Sequence, residues 1–400
     1  MNRGILATTL ALGLASALWL PTLHLFFAKN QDAAFADTGT PVRARALAAG
    51  LLDANANEDP MGRLHFASGE WDFMGRSYLV WALANMALRE PSKQAEYLAA
   101  IDRTIEETLR LERENGFMYF LLPYARAKPF VQRPARSLFV DGEIALMFGL
   151  RRLVEEREDD KRALASRVAA ISERMSAGPV ASAESYPDEC WTFCNAVALA
   201  ALSVADALDG TDHTPLERRW VDVAKAKLID AKTGLLVSRY ALDGRVMEGP
   251  EGSSIWMVTH ALQIVDEPFA RDQYERAARA LGRSVLGFGY AVEWPAEAPG
   301  HADIDSGPIV PVLGASAGSS GLALVGAKSF GDRDYFKKLV TTLDFAAFPI
   351  ERAQPSAEVG NGAKSAELSY AASNGVGDAV LLYATVLGPA WAKVKELRRR

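Results

Sequence analysis

The 400-residue chain holds only two cysteines and five histidines. Two thiols cannot build a disulfide scaffold, and alone they are too few for a four-ligand zinc or iron–sulfur site. The histidines, His24, His65, His213, His260 and His301, lie far apart, and no HExxH is present. No Gly-Lys-Ser or Gly-Lys-Thr occurs, which leaves a phosphate loop unsupported. Basic residues are outnumbered, 44 against 50 acidic, for a net charge of -6, so no broad basic surface for nucleic acid is expected. Runs suited to buried strands are nearly absent. G-x-S-x-G occurs at Gly314 to Gly318, but the last histidine lies upstream of Ser316, against the hydrolase order. The small-residue run "GASAGSSG" is read instead as a place of close helix packing.

What is present is an ordinary globular balance, 49% hydrophobic and 24% charged. Residues 4 to 28 carry no formal charge and are mostly Leu and Ala, behind a positive flank at Arg3. About 20 apolar residues span a bilayer as a helix. Two readings follow. Residues 1–36 are a signal anchor with a short linker, or a signal peptide cleaved at Ala34-Phe35-Ala36, which fits a small-x-small site. Both place residues 37–400, read as a single domain, in the cell envelope: anchored to the inner membrane and facing the periplasm, or free in the periplasm.

Beyond residue 37, helical patterns alternate with short polar links. Arg76 to Leu88 is apolar; Gln94 to Glu112 is amphipathic, with Leu98, Ile101, Ile105 and Leu109 at helical spacing. Further pairs are read at 142–154 with 161–175, 191–208 with 216–229, 253–265 with 269–286, and 308–327 with 334–346. The helix at 375–387 takes 42–54 as its partner. Before the first helix of each pair stands a polar motif: "GEWDF", "FVDGE", "YPDEC", "GPEGSSIW", "DIDSGP" and "SYAASNGVGD". Marked by Asp72, Asp141, Asp188, Glu251, Asp305 and Asn374, they recur with a period of roughly 60 residues, the length of two helices with loops. Apolar inner helices paired with charged outer ones predict an all-α (α/α)6 toroid whose inner helix starts converge on one mouth. Each acid alone is explained by helix capping. Six at equivalent positions, flanked by Trp and Tyr, point to a functional funnel.

Within "ESYPDECWTFCN", Pro187 and Asp188 suit a helix start. Cys190 and Cys194, at i and i+4, suit neither a disulfide nor, without histidines beside them, a metal; they are read as free thiols, at least one lining the funnel. His260 is read as a core histidine. Trp71, Tyr186, Trp191 and Trp256 are candidates for the funnel wall, and Asp72, Asp188 and Glu189 for an acid or base with a raised pKa.

Three stretches, "EWDFMGRSYLVWALANMAL", "ESYPDECWTFCN" and "GPEGSSIWM" to "DIDSGP", resemble the linalool dehydratase/isomerase family, and the helix rhythm extends the likeness over most of residues 40 to 391. The resemblance implies an exported (α/α)6 barrel, a homo-oligomeric ring, and cofactor-free addition or removal of water at a terpene alcohol, with isomerisation. It assigns Asp72 and Tyr78 to the family's Asp and Tyr, and Cys194, followed by Asn195, to the second of two active-site cysteines. Ser185 stands where the first would be, and the family histidine has no counterpart.

Three functions are weighed. One is a cofactor-independent lyase or isomerase acting on an apolar alcohol. Another is a carbohydrate-active enzyme using paired carboxylates drawn from Asp72, Asp141, Asp188, Glu251 and Asp305. The last is a membrane-tethered scaffold without catalysis. No metal or cofactor is expected in any of them.

Overall fold

A computed structural model of the chain describes residues 3–28, 35, 40–52, 64, 65, 67–300, 306, 307, 309–353 and 366–399. Ala34 and Ala36 of the suggested cleavage site, Asp305 and His301 lie outside them. The chain is mostly helical. Helix α1 is Arg3–Trp19, followed by a 3-10 turn, Leu20–Phe26. Gly4–Phe26 is long and apolar enough to cross a membrane, and none of it is buried.

The body is built on helix pairs: α2 (Val42–Leu52), α3 (Gly69–Arg89), α4 (Gln94–Asn115), α5 (Leu138–Val154), α6 (Glu158–Ala177), α7 (Thr192–Asp209), α8 (Thr214–Lys227), α9 (Gly252–Leu262), α10 (Glu267–Ala280), α11 (Ala317–Phe330), α12 (Arg333–Ala346), α13 (Gly375–Val386) and α14 (Pro389–Leu397). Helices α3, α5, α7, α9, α11 and α13 are buried on nearly all sides, as their continuous apolar sequences require. Helix α7 would pass for a membrane span by length and composition, yet 83% of it is buried in the body. Each of these six packs on the next, and α13 packs back on α3. Helices α4, α6, α10 and α12 lie against them and bury one face only; α2 takes the corresponding place beside α13. Helix α14 crosses α3, α5 and α7. Its Ala390 N–H reaches Asn85 near the end of α3, and its Trp391 stacks on His260 near the end of α9. The C-terminal ends of the inner helices are thereby closed.

Short antiparallel hairpins fill the links at the other end: β1 (Cys190–Trp191), β2 (Arg239–Tyr240) and β3 (Val246–Glu248) in one sheet, then β4 (Gly282–Val285) with β5 (Phe288–Ala291), β6 (Ile309–Val310) with β7 (Ala315–Ser316), and β8 (Pro349–Ala353) with β9 (Ala366–Tyr370). They correct the sequence reading at two places. Residues 281–286 and 309–316, which fall in the helices expected at 269–286 and 308–327, turn back at Gly287 and Gly314, whose φ of 85° and 64° favours glycine. A third correction concerns Pro187 and Asp188. Glu189 N–H bonds to the Tyr186 carbonyl at 2.9 Å, and Asp188 has φ 52°. That is the positive φ a type II turn needs after proline, so the pair makes a turn rather than a helix start.

Helix α9 approaches α11 closely because Gly252 has no side chain. A Cβ there would lie 2.1 Å from Ser319 Oγ and 2.7 Å from the Val292 carbonyl oxygen. Gly252→Ala is expected to cost about 1–3 kcal/mol, since backbone cannot retreat as a flexible side chain can. Urea unfolding checks this; an unchanged midpoint would show that the two helices are not tightly seated.

Candidate active site

A cavity of about 670 Å³ opens at the N-terminal ends of the inner helices. All six contribute to it: Glu70, Trp71 and Met74 of α3, Phe139 of α5, Cys194 of α7, Ser253 of α9, Ser320 of α11 and Val376 of α13 among them. The lining is mainly apolar. Of the residues singled out by sequence, Trp71, Tyr186, Trp191, Cys194 and Glu251 line it; Asp72, Tyr78, Asp141, Asp188, Glu189 and Trp256 do not.

Helical geometry explains the division. At about 100° per residue, positions i and i+4 share a face and i and i+2 are opposed. Glu70 and Met74 face the cavity, so Asp72 turns away, where Arg76 Nε holds it at 2.7 Å. Phe139 faces the cavity, so Asp141 turns away and is bound by Arg136 and Arg167. Trp256, two positions from the lining Ser254, is a core residue donating to Ser319 Oγ at 3.1 Å. Neither Asp72 nor Asp141 caps a helix; Ser68 and Ser137 do. Tyr78 lies below the floor, fully buried against Trp81 and Tyr383, its hydroxyl without a partner among the described residues. His260 is a core histidine: its ring nitrogens bond Ser329 and Tyr383, each at 2.6 Å, and burial holds it down to about 3.

Glu189 organises one wall from behind. Its carboxylate accepts from the Tyr124 hydroxyl at 3.1 Å and Trp191 Nε1 at 3.3 Å, and pairs with Arg239 at 3.3 Å. Tyr124 in turn stacks on Tyr186, ring centroids 4.9 Å apart. Tyr186 donates to Glu70 and accepts the Leu122 N–H at 2.9 Å. Burial, reinforced by the Glu70 charge, keeps its phenol neutral far above the usual range. Asn195 holds the same wall by bonding both the N–H and carbonyl of Ala183 and the Trp191 carbonyl.

The two cysteines are free and differ in place. Cys190 lies buried in β1 opposite Tyr240, away from the cavity. Cys194 opens into it. Burial pushes the Cys194 thiol well up, against the opposing effect of its hydrogen bond with Ser185 and with the charges of Glu143 and Glu70 adding to the rise. The serine at the expected position of a cysteine thus sits beside Cys194 in space. At Ser316, the hydroxyl caps α11 and bonds Glu293, which also accepts Ser253 N–H at 2.8 Å. The G-x-S-x-G run joins two helix starts.

Sequence reasoning passed over Glu70, Tyr124 and Glu143. Glu143 is wholly buried, and burial raises its carboxyl to about 8. The nearby Ser77 hydroxyl favours the ionised form, but Ser77 already donates to the Phe73 carbonyl at 3.0 Å. Both Glu143 oxygens lack a hydrogen-bond partner among the described residues. Both glutamates belong to the recurring polar motifs, "GEWDF" and "FVDGE". The i, i+4 spacing of Phe139 and Glu143 was the available signal.

No curated protein matches the chain. Solved structures with a similar course include a GH76 alpha-mannanase of Bacteroides thetaiotaomicron, at 11% identity over 82% of this chain and 87% of that one, TM-score 0.47. A D-mannose isomerase is similar at 14% identity over 81% and 86%, TM-score 0.47. At that score neither decides fold or chemistry. The profile of the linalool dehydratase/isomerase family matches residues 154–356, just over half of the chain. That span includes Ser185, Cys194 and Glu251 but stops short of Asp72 and Tyr78 on α3. On that match the chain, whose Cys194 opens into an apolar cavity, belongs to the linalool dehydratase/isomerase family.

Proposed function

We propose that this chain is an (α/α)6 barrel enzyme, held at a membrane by its N-terminal helix, that removes or adds water at a terpenoid-like alcohol without a cofactor. The observation that carries the reading is a neutral thiol, Cys194, in a mainly apolar cavity walled by aromatic rings. The ring of inner helix contacts supports the barrel.

The reaction requires little equipment. The alcohol's C–O bond breaks as a proton from Cys194 goes to the leaving oxygen, giving water. A proton on the neighbouring carbon passes to a carboxylate, for which Glu70 is the candidate, and its electron pair forms the new double bond. The proton then returns to the thiolate through solvent. Re-addition of water at the other allylic carbon gives the isomer. Trp71 and Trp191 line the cavity, where aromatic rings favour the cationic charge developed on the way, and the apolar lining strengthens this by lowering the local polarity. The same lining supports this reading over glycan processing, which needs an open acidic groove. Of the acids named for that alternative, Glu251 alone among the described residues lines the cavity.

Purified full-length chain given linalool or geraniol in vesicles is expected to interconvert them and release the dehydrated hydrocarbon, followed by gas chromatography. Folded protein that turns over no allylic alcohol would sink the proposal.

A further inference from the structure

The body exposes large apolar side chains unevenly. Leu286 stands at the tip of β4–β5, Val312 and Leu313 at the tip of β6–β7, and Phe345 and Phe348 at the end of α12. Val312 is fully exposed and Phe348 is 64% exposed. These segments are neighbours: β5 packs on α12 and on β7, and Phe288 meets Phe345 with ring centroids 5.1 Å apart. Leu286, Val312 and Phe348 have positive φ of 48°, 71° and 52°. Glycine is the usual residue for that conformation, and here each position presents an apolar side chain instead.

The N-terminal segment ends on this same face. Phe27 packs on Phe345 and Phe288, with centroids 5.2 and 6.4 Å away, and His24 meets Phe288 edge-on at 6.4 Å. Trp19 and Phe26 stack on each other, both exposed, at the body-side end of the apolar stretch. Aromatic rings collect at that depth where a helix leaves a bilayer. A span anchored there brings the bilayer surface against the hairpin tips. The same segments also form a wall of the cavity: Gly289 and Tyr290 of β5, Val310 and Ala315 of the next hairpin, and Leu343 and Ala346 of α12 line it.

We infer that this face is seated in the lipid interface around the N-terminal helix, and that the cavity takes its ligand from the bilayer. The substrate class is then an isoprenoid alcohol dissolved in lipid rather than in water. The choice of substrate rests on the proposed reaction; the membrane seating does not.

The test uses the full-length chain in phosphatidylcholine vesicles, with Leu286→Cys, Val312→Cys and, at the start of α6 beside the closed end of the inner helices, Asp159→Cys, each carrying an environment-sensitive fluorophore. The Asp159 side chain is 79% exposed and serves as the water-facing reference. The unsubstituted chain is the blank for its two buried thiols. Labels at 286 and 312 are expected to be quenched by lipid bearing a nitroxide near its headgroup, and to be at least about fivefold less accessible to iodide than the label at 159. Equal iodide access at all three positions would overturn the inference by placing the face in water. Protection from iodide without quenching by the lipid nitroxide would also overturn it, because a second copy of the chain would then be the cover. Neither readout depends on turnover, so a docked chain that transforms no alcohol would refute the reaction and leave the seating standing.

Discussion

Cys194→Ala is expected to lower turnover of the alcohol by about 10²- to 10⁴-fold, the range for loss of a positioned proton donor. Cys190→Ala should leave it within about twofold, a change smaller than any catalytic contribution of that kind. The two thiols are four positions apart but only Cys194 faces the cavity; Cys190 is fixed in β1 against Tyr240. Burial holds Cys194 in the thiol form across the neutral range, so it is not poised as a thiolate nucleophile, and the role proposed for it is that of a positioned proton donor. Alanine at position 194 removes the proton and leaves a small void, so circular dichroism should be unchanged. Equal turnover by Cys194→Ala and wild type would remove the thiol from the mechanism.

Glu143→Gln is expected to stabilise the protein at pH 8 and above, by on the order of 3–5 kcal/mol, and to flatten its loss of stability with rising pH. The carboxyl is raised to about 8 in the fold by burial, from an ordinary value of 4.5. Between those values the folded state keeps a proton that the unfolded chain has released. Stability therefore falls as pH rises through that window, and the full penalty is present above the folded value. Glutamine is of similar size and stays neutral. Thermal unfolding at several pH values from about 5 to 9, roughly the span of the two pKa values, reads the difference. Parallel curves for the two proteins would mean that Glu143 is not the group responsible. The same comparison bears on the site, because the Glu143 charge is among those that raise Cys194. In the Glu143→Gln variant the thiol should titrate lower.

The alternation of helices buried on all sides with helices buried on one was legible in the chain. A continuous apolar run such as 192–209 differs visibly from the one-faced pattern of 94–115, and the difference is enforced by how much of each surface meets water. The placement of "GEWDF" and "FVDGE" at one mouth was legible for the same reason. Which of their acids, if any, faces that mouth was not. Asp72 and Asp141, the markers of the repeat, turn away from it to Arg76, Arg136 and Arg167. Glu70 lines the cavity, while Glu143 lies buried behind it.

The sequence by itself determined the apolar N-terminal segment, the helix rhythm and the family likeness at Cys194, since composition and period require no knowledge of neighbours. Tertiary structure alone decided that 281–286 and 309–316 form hairpins, that Ser185 meets Cys194, and that Glu143 keeps its proton to about pH 8. Those outcomes depend on which distant segments exclude water from a given group, and desolvation is a property of the packed surroundings rather than of the residue.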